Sequence, residues 1–355
     1  MAPATADAVA ALERVAYLKD RVLEESKRVQ AYTKAADIVR SLPAGELEHR
    51  HAAGTLQELS GIGPKTAAII TQALDGGPIP YIDELEQTTR VDRLDDPAAQ
   101  ALRAAIKGDC HAHSRWSDGG ASIETMARAA MALGHEWLVM TDHSARLTIA
   151  HGLSKERLLQ QLDEIAELNE RLAPFRILTG MEVDILVDGA LDLAEDMLAR
   201  LDVVVASVHS KLSMPGPEMT RRMVMAVASP HVDILGHCTG RKVPGPMRQV
   251  GKSDFGGRVG ADFDPEIVFA ACARFGTAVE INCRPERQDP PDELLELALE
   301  WGCTIAIDTD AHAPGQLEWQ PFGCEKAARH GIEAAEVVNT KTADELVAWA
   351  GSHPA

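Results

Sequence analysis

Gly108-Asp-Cys-His-Ala-His-Ser-Arg-Trp-Ser-Asp118 decides how the chain is read. If its first half is a strand, alternate side chains leave the same face. His111 and His113 then point the same way, close enough to grip one metal ion, and Cys110 faces the opposite way into core. Asp118 follows after a short polar turn. A lone His-x-His is an ordinary pattern that mostly binds nothing. This one gains weight because the same residue types recur at the end of nearly every later apolar run.

Toward the C-terminus, short apolar runs alternate with amphipathic helical patterns such as Ser122–Leu133 and Lys155–Leu172. The expected strands are 108–112, 137–142, 176–183, 202–208, 232–237, 277–282 and 303–309, with 335–338 as a candidate eighth. Such alternation implies an α/β fold with a parallel sheet and right-handed crossovers. Seven or eight repeats in about 250 residues make a closed barrel, with its active site at the C-terminal strand ends.

Those ends are polar. They read Thr141-Asp142-His143, Glu182-Val-Asp184, Ser207-Val-His209, Gly236-His237 and Asp308-Thr-Asp310-Ala-His312. With the opening stretch they supply His111, His113, His143, His209, His237 and His312, plus Asp118, Glu182 and Asp310. So much charge in one cleft is costly unless cations neutralise it. Donors that are all N or O, without thiolate, suit Zn²⁺, Mn²⁺ or Fe²⁺. Two such ions a few ångströms apart activate a bridging water and stabilise both oxygens of a phosphoester displacement.

Two features point to an anionic substrate. Glu280-Ile-Asn-Cys-Arg284-Pro-Glu-Arg287 ends the sixth strand and brings Arg284 and Arg287 toward the cleft, where a guanidinium can grip phosphate bidentately. For Arg284 the alternative is a surface residue paired with Glu286 or Asp289. The loop 238–261 carries Arg241, Lys242, Arg248, Lys252 and Arg258 against the single acid Asp254. A loop of that length is a lid, a binding loop or a solvated segment.

Composition bounds the rest. The chain has 355 residues and a net charge of −19, which is not that of a protein coating its whole surface with nucleic acid. Residues 1–107 hold 13 Lys+Arg and 16 Asp+Glu, so most of the acidic excess lies in 108–355, and any nucleic-acid contact is local. The six cysteines form no Cys-x-x-Cys pair and suit a reducing cytoplasm. Residues 1–20 do not read as a signal peptide. No uncharged apolar run of about 18 residues argues for a membrane span.

Residues 6–42 read as helical, with Pro43 ending the pattern. Then comes Leu59-Ser-Gly61-Ile-Gly63-Pro-Lys65-Thr-Ala-Ala-Ile-Ile70. Gly61 and Gly63 flank an apolar Ile62, and Pro64 opens a helix where proline is tolerated. This is a helix-hairpin-helix pattern. Amides at the helix start can hold a DNA phosphate without reading sequence, and Lys65 adds a charge. The plain alternative is a tight turn between packed helices.

The Ala31–Pro43 and Gly61–Lys65 runs resemble the small N-terminal domain of family X DNA polymerases. In lyase-competent members a Schiff-base lysine lies one turn beyond Lys65. Here Ile69 holds that place, so lyase activity is not expected. No room remains for a nucleotidyl-transfer domain before Gly108, so no polymerase is expected either.

The histidine and carboxylate motifs over 108–341 resemble the polymerase-and-histidinol-phosphatase (PHP) family, and most of all the C-terminal PHP domain of bacterial family X polymerases. Val337-Val-Asn-Thr340 fits the same likeness. The resemblance implies a distorted (β/α)7-type barrel and two to three divalent ions. His111, His113, Glu182 and Asp310 would hold the first ion. Glu182 would bridge to the second, shared with His209 and His237. Asp118, His143 and His312 would hold the third. A metal-bound hydroxide held by Glu182 would attack, and Arg287 would orient the phosphate.

The expected organisation is a helical domain over 1–90, a linker over 91–107, the barrel over 108–341 and a C-terminal helix or tail over 342–355. The expected function is a DNA phosphodiesterase, trimming 3′ ends or cutting at abasic sites, as a cytoplasmic monomer whose Gly61, Gly63 and Lys65 hold the backbone. The alternative substrate is a small phosphomonoester such as histidinol phosphate.

Overall fold

The computed structural model describes residues 3–24, 26–89, 94–243 and 257–354. They form two compact units. The N-terminal unit holds α1 (Pro3–Asp20), α2 (Ser26–Ser41), α3 (Glu46–Ala53), α4 (Pro64–Leu74) and α5 (Pro80–Thr88). The helical pattern expected over 6–42 divides into two helices, and Leu23 between them takes a left-handed backbone, φ 54°. Leu12, Val15, Leu18, Tyr32, Val39 and Ile70 form its core. Ile69 packs there too, as an apolar residue at that place must.

The second unit begins with α6 (Pro97–Ala105), whose N-cap Asp96 accepts a hydrogen bond from the Ala98 amide. Ala99 and Leu102 are buried, and α6 packs against α13 (Gln320–Arg329). Part of the expected 91–107 linker is therefore barrel structure, because that short helix has an apolar stripe to bury.

Seven parallel strands follow in spatial order of sequence: β1 (Gly108–Ala112), β2 (Trp137–Met140), β3 (Arg176–Asp184), β4 (Val203–Ser207), β5 (Ile234–Leu235), β6 (Ala278–Asn282) and β7 (Ile305–Asp308). Between them run α7 (Ile123–Ala132), α8 (Lys155–Leu172), α9 (Glu195–Leu198), α10 (Gly216–Val227), α11 (Pro265–Phe275) and α12 (Asp292–Glu300). Helix α14 (Ala343–Ala350) follows α13. A parallel bridge between Ala112 and Ala311 draws the last strand's exit to the first, leaving a nearly closed barrel. Strand burial is complete on both faces in β1, β2, β4, β6 and β7, as parallel strands between a barrel interior and covering helices require.

The candidate eighth strand is not one. Residues 334–336 and 338–340 form 3-10 turns with one parallel bridge, Ile305 to Val337. The side chain of Asn339 does the pairing instead. Its amide donates to the carbonyls of Gly108 and Ile307 and to Asp308 Oδ1, and its Oδ1 accepts from the Ile307 amide at 2.7 Å. One asparagine thus stitches β1 to β7 where a strand was expected.

Candidate metal centre

The C-terminal strand ends bring all six predicted histidines and three predicted carboxylates to one mouth of the barrel. Glu182, on β3, stands at the centre and is buried. Its two oxygens divide the histidines. Oε2 lies 3.3 Å from His111 Nε2, 3.6 Å from His113 Nε2 and 2.8 Å from His143 Nδ1. Oε1 lies 3.1 Å from His209 Nε2 and 2.9 Å from His237 Nε2. His113 Nε2 is also 3.5 Å from Asp310 Oδ1. On the outer side, Asp118 Oδ1 is 3.3 Å from His312 Nε2 and 3.6 Å from His143 Nε2.

Ligand atoms converge in three overlapping groups: His113, Asp118, His143 and His312; His111, His113 and Glu182; His143, Glu182 and His209. Among the described residues, His111 Nε2, both ring nitrogens of His113 and His209, His143 Nδ1, His237 Nδ1 and Glu182 Oε2 are buried without a hydrogen-bond partner. Buried polar atoms are mostly satisfied, so a concentration of unpartnered ones marks a polar site. In each of the three groups one ligand atom per residue lies within 4.8 Å of the others, an arrangement suited to cations. The donor set fits divalent metal ions held by imidazole and carboxylate.

The charges of the cluster act strongly on one another. Burial would push the Glu182 carboxyl up, but the imidazoles of His209, His111 and His143 outweigh it and hold it well below the usual range. Burial raises and Arg284 and Arg287 lower Asp310, which also ends up well below. Burial depresses His113, reinforced by the His312 and His143 rings, so it stays a neutral donor. Two site residues hold positive φ without being glycine, His237 at 21° and Asp310 at 51°. Such backbone strain gathers at functional sites.

A layer of supporting carboxylates stands behind these ligands, to which the sequence alone assigns no role. Asp184 Oδ1 accepts from the His209 amide at 3.1 Å. Asp142 accepts from the Ser114 and Ser117 amides and from Gln161, shaping the turn that delivers Asp118. Glu280, on β6, lies 2.6 Å from His111 Nδ1. The only sequence signal was an acid inside an otherwise apolar strand, Ala-Val-Glu-Ile-Asn.

The two arginines differ. Arg287 Nε is 3.1 Å from Asp310 Oδ2. Arg284 pairs with Glu286 but is no surface residue, and its Nη1 also lies 2.9 Å from His312 Nδ1 and 3.6 Å from Asp310 Oδ1. Its Nε bonds Glu286 at 2.9 Å, its Nη1 reaches the Asp310 carbonyl, and it lies over the Trp319 ring. At the base of the basic loop, Lys242 and Arg258 form an antiparallel bridge, and the Val243 amide bonds the Glu286 carbonyl at 2.7 Å. Burial and the cations Arg287, Arg284 and Arg258 press the Lys242 pKa down, which is the signature of cations gathered on one side. Arg248, Lys252 and Asp254 lie outside the described residues.

In the N-terminal unit, Gly63 is the N-cap of α4, and Pro64 occupies its first turn. Gly61 has φ 92°, and Lys65 is exposed. Among the described residues no helix is long and apolar enough to cross a membrane.

Fold and cluster together define a metal-binding hydrolase barrel. Residues 109–237 match the PHP domain family, and residues 3–79 match a helix-hairpin-helix domain. The chain belongs to the PHP domain family. It is 39% identical over 244 residues to the DNA polymerase/3′-5′ exonuclease PolX of Bacillus subtilis, covering 69% of this chain but 41% of that protein. It is 30% identical over 217 residues to a "probable phosphatase" of Thermoanaerobacter sp., covering 58% of this chain and 78% of that protein. A crystal structure of histidinol phosphate phosphatase from Lactococcus lactis, complexed with zinc, L-histidinol and phosphate, superposes with a TM-score of 0.39 at 17% identity. It covers 64% of this chain and 94% of that one.

Proposed function

We propose that the chain is a metal-dependent phosphoester hydrolase acting on DNA, of the 3′-end-processing or abasic-site type. The observation that carries the reading is the pairing in one chain of the Glu182-centred cluster with a helix-hairpin-helix unit. His111, His113, Glu182 and Asp310 would hold one ion, Glu182, His209 and His237 a second, and Asp118, His143 and His312 a third. Bound divalent ions would supply a hydroxide-strength nucleophile near neutral pH and neutralise charge on the phosphate.

The protein's own groups do the rest. Glu182 turns one oxygen to His111, His113 and His143 and the other to His209 and His237, so one carboxylate would serve two neighbouring positions. Arg287, held against Asp310, turns a guanidinium toward the mouth, where it orients a phosphate. Arg284 is committed to Glu286 and fixes the loop that carries Arg287. Gly61, Gly63 and Lys65 hold the DNA backbone through the first turn of α4. All six cysteines are free and buried, which supports a reducing cytoplasm as its place of work.

A second reading is a phosphomonoesterase on a small metabolite such as histidinol phosphate. Its support is the similarity to the Thermoanaerobacter protein, of which the chain covers 78%. Purified protein with Mn²⁺ is given a 3′-recessed or abasic duplex in one reaction and histidinol phosphate in another. Shortened or nicked DNA with little free phosphate supports the nuclease. Fast phosphate release with intact DNA establishes the monoesterase instead.

A further inference from the structure

We propose that Glu280 is a positioning residue that sets the tautomer of His111 and the backbone of His237, tying together two of the three candidate ion positions. The inference rests on the metal reading of the Glu182 cluster and adds a residue to it.

Strand β6 alternates, so Ala278, Glu280 and Asn282 share the face turned to the barrel interior. Glu280 is buried. Its Oε1 lies 2.6 Å from His111 Nδ1. A carboxylate without a proton only accepts, so Nδ1 is the donor there. In the neutral, ligating imidazole the lone pair of His111 is then on Nε2, the buried atom without a partner, 3.3 Å from Glu182. The other oxygen, Oε2, accepts the backbone N–H of His237 and the Asn282 amide at 3.1 Å. His237 is one of the two site residues with positive φ, so Oε2 holds a strained turn at the point where the ring must reach Glu182. Asn282 passes the tie on, donating to Asp310 Oδ2 at 3.1 Å. Carboxylate partners that fix the second nitrogen of a ligating histidine are worth roughly 10- to 100-fold in metal affinity.

The chemistry makes Glu280→Gln a sharp test, because neither amide orientation can replace the carboxylate. With its NH₂ toward His111, Nδ1 must accept, the proton moves to Nε2, and that atom can no longer ligate. With its NH₂ toward His237, two donors face a third. Wild-type and Glu280→Gln proteins are titrated with Zn²⁺ against a chromogenic chelator, with folding checked by circular dichroism.

The expected result is a 10- to 100-fold loss of affinity at the positions that use His111 and His237. The position formed by Asp118, His143 and His312 keeps its affinity, which general damage would not spare. Equal affinities in the two folded proteins overturn the role of Glu280. Failure of the wild type to take up Zn²⁺ overturns the metal reading instead. Should the variant not fold, ¹H–¹⁵N spectra of the Zn²⁺-loaded wild type decide. A slowly exchanging Nδ1–H on His111 supports the proposal, and a proton on Nε2 overturns it.

Discussion

His143 stands between two parts of the centre, with Nδ1 2.8 Å from Glu182 Oε2 and Nε2 3.6 Å from Asp118 Oδ1. One imidazole therefore faces the inner carboxylate with one nitrogen and the outer carboxylate with the other. Since it belongs to two of the three convergent groups, its loss disturbs more than the outer position.

His143→Ala is expected to lower the number of Zn²⁺ ions retained after desalting and to slow phosphoester hydrolysis by more than about 100-fold, with the barrel still folded. Elemental analysis beside a turnover assay checks this. Full metal retention with unchanged turnover would remove His143 from the centre.

Arg287 is expected to act through substrate binding. Charge-assisted hydrogen bonds contribute roughly 1.5–3 kcal/mol, so Arg287→Ala raises KM about 10- to 100-fold with a smaller fall in kcat. Arg287→Lys restores the charge without the fork and recovers only part of the loss. A fall in kcat at constant KM would contradict the phosphate-grip role. Arg284→Ala behaves differently, because it frees Glu286 and loosens the loop.

A pH prediction comes from His135, which is buried beside Arg103 and Gln320 where α6 meets α13. Burial, then the Arg103 charge, pushes its pKa down to about 4. An unfolded histidine titrates near 6.5. Between those values the unfolded chain binds the extra proton, so stability falls as pH falls from about 6.5 toward 4. At about 1.4 kcal/mol per pH unit the loss reaches at most about 3 kcal/mol. Urea unfolding at pH 7.5 and pH 4.5 should show a smaller acid loss in His135→Gln than in wild type. Every other group is common to both proteins, so the difference isolates His135. Equal losses would refute it.

The hairpin glycines separate fold from binding. An added Cβ at Gly63 meets nothing within 4 Å, whereas at Gly61 it would lie 2.6 Å from Ile38 Cδ1 at φ 92°. Gly61→Ala is thus expected to destabilise the N-terminal unit by about 1 kcal/mol or more. Gly63→Asp and Lys65→Glu should leave it folded, weaken oligonucleotide cleavage and spare a small chromogenic phosphoester. Lys65→Glu should also shallow the salt dependence of DNA binding by about one unit of slope. If the folded variants cleave oligonucleotides as well as wild type does, the hairpin does not hold the substrate.

The strand ends were legible because the barrel repeats a simple pattern, and each polar residue closing an apolar run marks the same rim. His111, His113, Glu182 and Asp310 could be picked from sequence for that reason. Glu280 could not. A strand buried on both faces shows no contrast between inward and outward residues, so periodicity does not reveal which way its acid points. Its partner His111 lies 169 residues away. The candidate eighth strand is absent for a related reason: Val337-Val338 has strand composition, but pairing at that edge is done by the Asn339 side chain.

The sequence alone determined the parallel strand–helix alternation, the chemistry gathered at the rim and the hairpin turn that precedes it, because these rest on local periodicity and residue type. Only the tertiary structure decided which Glu182 oxygen meets which histidine, that Arg284 pairs with Glu286 beside His312, and that α6 belongs to the barrel. Those are contacts between residues far apart in the chain, fixed by how the strands close on one another, and no local pattern encodes them.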